Sequence, residues 1–558
     1  MLAMRVRLAP LLFVPLVACQ SFDHDLILRG GVVFDGAGGS PYRADVAVDG
    51  DRIAAVGDLS EATARRELDA SGRAVTPGFV NVLSWATESL LIDGRALSDV
   101  TQGVTLEVFG EGWSMGPLNE SMRAELAAGG RFDVPWHTLG GYLEHLEARG
   151  VSPNVASFVG ATTVRIHELD HADRAPEAEE LGRMCALVRE AMEEGALGVG
   201  SALIYAPGFY AATEELIALA RASAAHGGRY ATHMRSEGNR LQESVEEVIA
   251  IARASGSGAE IYHLKAAGRE NWPKLGSVLE RIEAVRAEGL DLTADAYPYV
   301  AGATGLDAAM PPWVQEGGFE AWTDRLRDPE VRARVAEEMR TPTDAWENFF
   351  HAAGPEHMLL VGFANPDLRS YVGRTLAEVA AERGTTPAET AMDLVVEDGS
   401  RVGTVYFLMA EEDVERVVAQ PWVSFCSDAA APAPEGTFLD ANPHPRAYGS
   451  FARLLARYVR ERGVLTLEDA VRKLTWLPAR TLKLRGRGLV MEGAFADLVV
   501  FDPATVADHA TFEDPHQLAT GFDHVLVNGT PVLVDGEHTG ATPGRVVRGP
   551  GWTGWSRP

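Results

Sequence analysis

The sequence is short of cysteine, short of positive charge and almost without long apolar runs, and each shortage excludes something. Of its 558 residues only Cys19, Cys185 and Cys426 are cysteine. Three thiols are too few to staple a chain of this length, so the fold must rest on a packed core, which 46% apolar residues can supply. Cys19 has another use, described below. Cys185 and Cys426 could pair, but nothing in the sequence brings them together, and we read them as buried free thiols.

Lysine and arginine total 50 against 79 acidic residues, a net charge of −29. No run of basic residues offsets this, which argues against binding a nucleic-acid backbone. A small-molecule partner fits better.

One apolar run stands out near the start. Leu8 to Ala18 follows Arg5 and Arg7 and is too short to cross a bilayer, which takes about 20 apolar residues. Residues 1–19 therefore read as a signal peptide. The run ends Leu16-Val17-Ala18-Cys19, which resembles the bacterial lipobox, where cleavage precedes a cysteine that is then lipidated. An ordinary secretory signal is the alternative. On the lipobox reading Cys19 is the lipidation site, and the mature protein is exported to the periplasm and touches a membrane only through its lipid. Gln20, in place of the aspartate that retains such proteins at the inner membrane, points to the outer one.

Next come residues that alternate strand signals with turns. Leu26–Leu28, Val32–Phe34, Asp45–Val48 and Arg52–Gly57 are separated by Asp35-Gly36, Asp49-Gly50 and similar pairs. This unit is too small for a good core, and its character returns at Ala496–Asp502, His524–Gly529 and Pro531–Gly536. The expected arrangement is a small β-sandwich formed by both termini (20–77 and 483–558), with a catalytic unit (78–482) inserted between them.

In the inserted unit strands alternate with helices. Candidate strands are Phe79–Leu83, Val104–Val108, Val155–Phe158, Leu197–Gly200, Tyr230–His233, Glu260–His263, Leu292–Asp295 and Val423–Cys426. Eight such strands predict an α/β fold, a (β/α)8 TIM-like barrel. The gap before the eighth strand is too long for one crossover, so about 300–420 reads as an insertion over the barrel mouth, in the manner of a lid. His233 and His263 close two neighbouring strands, where a barrel carries its metal sites.

The ordered set Val75-Thr76-Pro77-Gly78-Phe79, Thr101-Gln102-Gly103-Val104-Thr105, Thr232-His233-Met234-Arg235, Tyr262-His263-Leu264-Lys265, Ala294-Asp295-Ala296-Tyr297-Pro298-Tyr299, Ser427-Asp428 and His444-Pro445-Arg446 resembles the N-acyl-D-amino-acid deacylases of the amidohydrolase superfamily. It departs from them twice. The family's first strand ends in His-x-His, and here Leu83 and Trp85 stand at those positions. A strand-two cysteine ligand is replaced by Glu111.

The resemblance implies a metal-dependent hydrolase of a linear amide. Glu111, His233 and His263 would hold one divalent ion, zinc first, since two histidines and a glutamate form a known catalytic zinc set. A carboxylate selects zinc less strictly than a thiolate does, which leaves other divalent metals open. Asp428 would be the catalytic acid and base, Lys265, Tyr297 and Arg446 the contacts to the substrate carboxylate, and Tyr205 a donor to the polarised carbonyl. The partner would be an N-acyl amino acid or a related small amide. Glu107 competes with Glu111 but sits within its strand. Trp85 and Trp113 read as core aromatics, at least one of them, or as the lining of an apolar pocket. Two other readings stand beside this one: a hydrolase of a cyclic amide, imide or peptide-like bond, and a non-catalytic binding lipoprotein.

Overall fold

The computed structural model describes residues 22–556. Cys19 and the lipobox lie outside the described residues.

Eight parallel strand positions form the barrel: β1 (Phe79–Asn81), β2 (Val104–Phe109), β3 (Asn154–Ser157, resuming at Val159–Gly160), β4 (Gly198–Ala202), β5 (Arg229–His233), β6 (Ala259–Ile261), β7 (Leu292–Ala296) and β8 (Val423–Phe425). Every residue in them is buried, as expected of strands with helices outside and a filled barrel within. The barrel is drawn as two arcs joined at β3. There the Phe158 amide donates to the Phe109 carbonyl while Val159 pairs with Val199. The seam between β1 and β8 is closed just past the strand ends, where the Asp428 amide donates to Leu83 and the Ser427 amide to the Asn81 side chain, both at 2.9 Å.

The helices lie outside. Leu241–Ser255 shows why they form: Leu241, Val245, Val248, Ile249 and Ala252 recur at helical spacing on the buried face, and Gly256 at φ 74° ends the helix.

The terminal segments make one nine-stranded sheet. Ala74–Pro77 pairs on one side with His24–Val33 and on the other with Leu498–Phe501, so the first and last parts of the chain share a ladder. Residues of both, such as Leu28, Val46, Leu498 and Leu526, form a core of their own. Between β7 and β8, Ala301–Gly305, Gly403–Phe407 and Met358–Gly362 form a small antiparallel sheet with helices around it. Cys185 is half-buried and Cys426 buried, and both are free thiols.

Candidate active site

β6 ends at Ile261, so His263 stands two residues beyond it rather than closing it as expected. It sits in the left-handed region, at φ 36°. β5 and β6 are paired neighbours, and this brings the His233 and His263 rings to 4.6 Å between centroids, nearly perpendicular.

Glu111 follows β2. The glycines on either side of it let the loop cross the mouth closely. Gly110 has φ 108°, and a Cβ there would lie 2.4 Å from the Phe158 carbonyl oxygen; Gly112 has φ 69°, and a Cβ there would press on Ala202 at 2.7 Å. Glu111 Oε1 then lies 3.1 Å from His233 Nδ1 and 2.9 Å from His263 Nε2. All three side chains are buried, and one ligand atom from each falls within 4.8 Å of the others. Burial alone would raise the Glu111 pKa, but the facing His263 charge and hydrogen bonds from both rings hold it well below the usual carboxylate range. His263 is pushed up to about 10, against its burial and the Lys265 charge, by Glu237, Glu111 and Asp428. One carboxylate oxygen facing two imidazole nitrogens, with all three side chains buried, is a donor set that fits a divalent ion.

Glu237 is a part of the site that sequence reasoning missed. Its Oε1 lies 3.0 Å from His263 Nδ1 and accepts from Lys265 Nζ at 2.7 Å. Accepting the Nδ1 proton would leave Nε2 free to face Glu111. Glu347, from the insertion, accepts from the Glu237 amide at 2.8 Å and is pushed up to about 8 by burial and the Glu237 charge. Glu237 stands four residues after His233 in Thr232-His233-Met234-Arg235-Ser236-Glu237, a signal within reach of the sequence. Arg235, which shares that motif, turns away to pair with Glu247 at 3.0 Å.

Asp428 follows β8 and is also left-handed, at φ 47°. Its Oδ1 accepts from Trp85 Nε1 at 3.2 Å, and its Oδ2 lies 2.8 Å from the Arg446 guanidinium. Burial pushes its pKa up and Arg446 opposes that. Arg446 opens the helix Arg446–Arg453, stacks 4.6 Å from the Tyr297 ring centroid and donates to the Ala303 carbonyl at 3.2 Å. Lys265 Nζ lies 5.7 Å from the same ring. Tyr205 packs edge-on to His233 at 5.5 Å, and Arg401 of the insertion lies 5.3 Å from its ring.

Glu111, His233, His263, Asp428, Lys265, Tyr297, Arg446 and Tyr205 all line one cavity of about 320 Å³. Thr304, Phe349, Arg401 and Tyr406 complete it from the insertion.

One expectation is corrected. Neither Trp85 nor Trp113 is a core residue: each is 36% exposed and lines the cavity, where the loops after β1 and β2 leave room beside Glu111. Trp85 also donates to Glu111 Oε2 at 2.9 Å, a role its apolar reading hid. Glu107 does not compete for the ion: it points into the barrel and accepts from Asn81 at 2.9 Å, since an in-strand residue one turn of pleat below cannot reach the mouth.

Comparison with known proteins agrees with this geometry. The amidohydrolase family model matches residues 66–533. A D-aminoacylase of Alcaligenes xylosoxydans xylosoxydans is 38% identical, the match covering 95% of this chain and 98% of the relative. A solved D-aminoacylase, described as having a binuclear metal centre with one-metal activation and second-metal attenuation, is 36% identical, with a TM-score of 0.78 and coverage of 94% and 100%. An N-acyl-D-glutamate deacylase of Bordetella bronchiseptica, solved with zinc and a phosphonate mimic of the tetrahedral intermediate, is 32% identical, with a TM-score of 0.79 and coverage of 94% and 99%.

Proposed function

The chain belongs to the amidohydrolase family, and on that premise we propose that it is a metal-dependent deacylase of N-acyl-D-amino acids. The observation that carries this is Glu111 Oε1 facing both His233 Nδ1 and His263 Nε2 at hydrogen-bonding distance, with Asp428 on the same cavity.

Glu111, His233 and His263 would hold one divalent ion, zinc by the chemistry of the set and by its presence in the related deacylase. When bound, such an ion polarises a carbonyl and brings the pKa of water to about 7. The residues do the rest. Asp428, held between the Trp85 N–H and Arg446, takes a proton from the attacking water and returns it to the amide nitrogen as the C–N bond breaks. The products are a carboxylate and a free amino acid. Arg446 and Lys265 present positive charge beside Tyr297, where the carboxylate of the amino acid would sit. Tyr205 would donate to the carbonyl oxygen as negative charge gathers there.

A single ion is the reading the residues favour, because Leu83 is fully buried and apolar, and Trp85 offers only a donor to the space beside Glu111. Export and lipidation at Cys19 complete the proposal. They rest on residues 5–20 alone and are tested by fatty-acid labelling of the wild type and Cys19→Ala.

The function is tested by assaying the zinc-loaded protein on paired N-acyl-D- and N-acyl-L-amino acids. Release of free amino acid from the D series is expected. Asp428→Asn should lower kcat by a factor of about 10² to 10⁴ while metal content is kept. Full activity in that variant, or turnover of cyclic amides alone, would sink the proposal.

A further inference from the structure

A second cavity, of about 710 Å³, opens beside the first. The two share Trp85, Trp113 and Arg401 on their walls, so they adjoin at the two indoles. Away from these shared residues the groove has an apolar face. Met115 and Leu118 come from the loop after β2, Met122 and Leu126 from the helix Glu120–Ala128, and Ile166 from the helix Ala161–Leu169.

From this adjacency we infer that the groove binds the acyl group of the substrate, and that the preferred acyl group is a long unbranched alkyl chain. The inference rests on the amide-hydrolase reading above and extends it to the substrate class. Three observations carry it. Lys265, Tyr297 and Arg446 line the first cavity but not the groove, so the charged amino-acid half and the acyl half of a substrate have different walls to meet. A carbonyl placed at Glu111, His233 and His263, with the carboxylate towards Arg446, leaves the acyl chain and the amino-acid side chain to be housed, and the acyl chain, on the carbonyl carbon beside Glu111 and Trp85, is the one we assign to the groove. The groove is also far larger than an acetyl group needs, and lies within the range that encloses drug-sized apolar ligands.

The lining suits a flexible chain. Methionine fills irregular gaps and adapts to what lies against it, and two of the groove's walls are methionine. Trp113 keeps 36% of its surface in water, an exposure that an alkyl chain laid against it would remove. Polar groups share the lining, Glu125, His171 and the solvent-exposed Glu88–Arg131 ion pair among them.

Burying a methylene is worth about fourfold in affinity, so chain length is the variable to change. The zinc-loaded protein would be assayed on the N-acetyl, N-octanoyl and N-dodecanoyl derivatives of one D-amino acid, each below its micelle concentration. We expect kcat/KM to rise along the series, by at least tenfold from acetyl to dodecanoyl. Leu126→Glu, at a half-buried position, should collapse that ratio to within about threefold. A flat or falling series in the wild type, with acetyl hydrolysed, overturns the groove assignment and leaves the deacylase reading intact. No turnover of any member overturns both. A rising series that Leu126→Glu does not alter overturns the assignment of this groove.

Discussion

Trp85 Nε1 lies 2.9 Å from Glu111 Oε2, and it does so at a position where the resemblance to the deacylases leads one to expect a histidine. An N–H donor takes up the second oxygen of the carboxylate whose first oxygen faces the two imidazoles. It cannot act as a ligand.

Metal content follows from that contact. The wild type is expected to hold about one zinc per chain, and added zinc should not depress its activity, unlike the second-metal attenuation described for the related D-aminoacylase. The double variant Leu83→His/Trp85→His should bind a second equivalent. Metal analysis after gel filtration would show it, and two ions in the wild type would refute the single-ion site.

Glu237 Oε1 faces both His263 Nδ1, at 3.0 Å, and Lys265 Nζ, at 2.7 Å, while Lys265 Nζ itself lies 2.8 Å from Nδ1. Glu237→Gln keeps the shape but removes the charge beside Nδ1 and Lys265. Zinc affinity should fall by about 10- to 100-fold, the usual cost of losing such a partner. A competition titration with a chelator would measure it. An unchanged affinity would mean that Glu237 serves Lys265 alone.

Arg446 acts on Asp428 as well as on the substrate. Arg446→Met should raise KM for N-acyl amino acids. It should also move the acid limb of the kcat profile to higher pH, because Arg446 is what opposes the burial that raises Asp428. The limb moves up because the base must be a carboxylate to take a proton, and without the guanidinium it holds its own proton to higher pH. A rise in KM with an unmoved limb would separate the two roles.

The barrel interior predicts a pH effect on stability. Glu107 and Asp99 are fully buried and both reach Asn81. Burial pushes Glu107 up to about 7, and burial with the Glu107 charge raises Asp99. In the unfolded chain a glutamate titrates near 4.3. The folded state therefore holds protons that the unfolded state has released, and this contribution to stability is full below about pH 4 and lost as pH rises through 7. The wild type should melt at lower temperature at pH 8 than at pH 5.5. Glu107→Gln, which carries no charge to bury, should flatten that dependence. Equal slopes in the two proteins would exclude the pair as its source.

Much of this was legible in the sequence, because strand ends and ligands are local features. Alternating strand and helix signals gave the barrel, and the strand-end histidines with Ser427-Asp428 pointed to the site before any distance was known. The side-chain contacts were not legible in the same way. Whether Trp85 turns its nitrogen towards Glu111 or packs inward is set by rotamers that the neighbouring loops choose, and the composition of the stretch is the same either way. Glu347 reaches the Glu237 amide and Arg401 reaches the cavity only because the insertion folds back over the mouth, a relationship between residues far apart in the chain. Glu107 was visible as a strand residue, but its acid neighbour Asp99 comes from a separate turn of helix that spacing alone does not align with it.

The ladder shared by Ala74–Pro77 and Leu498–Phe501 has a consequence for synthesis. The strand that leads straight into the barrel keeps an open edge until nearly the whole polypeptide has been made, so the amino-terminal strands must wait, unpaired on one side, for a partner that arrives last. Loss of the carboxy-terminal strands would strip the foundation from beneath β1, and a nascent chain stalled before Leu498 would be a target for aggregation and proteases rather than a smaller working enzyme.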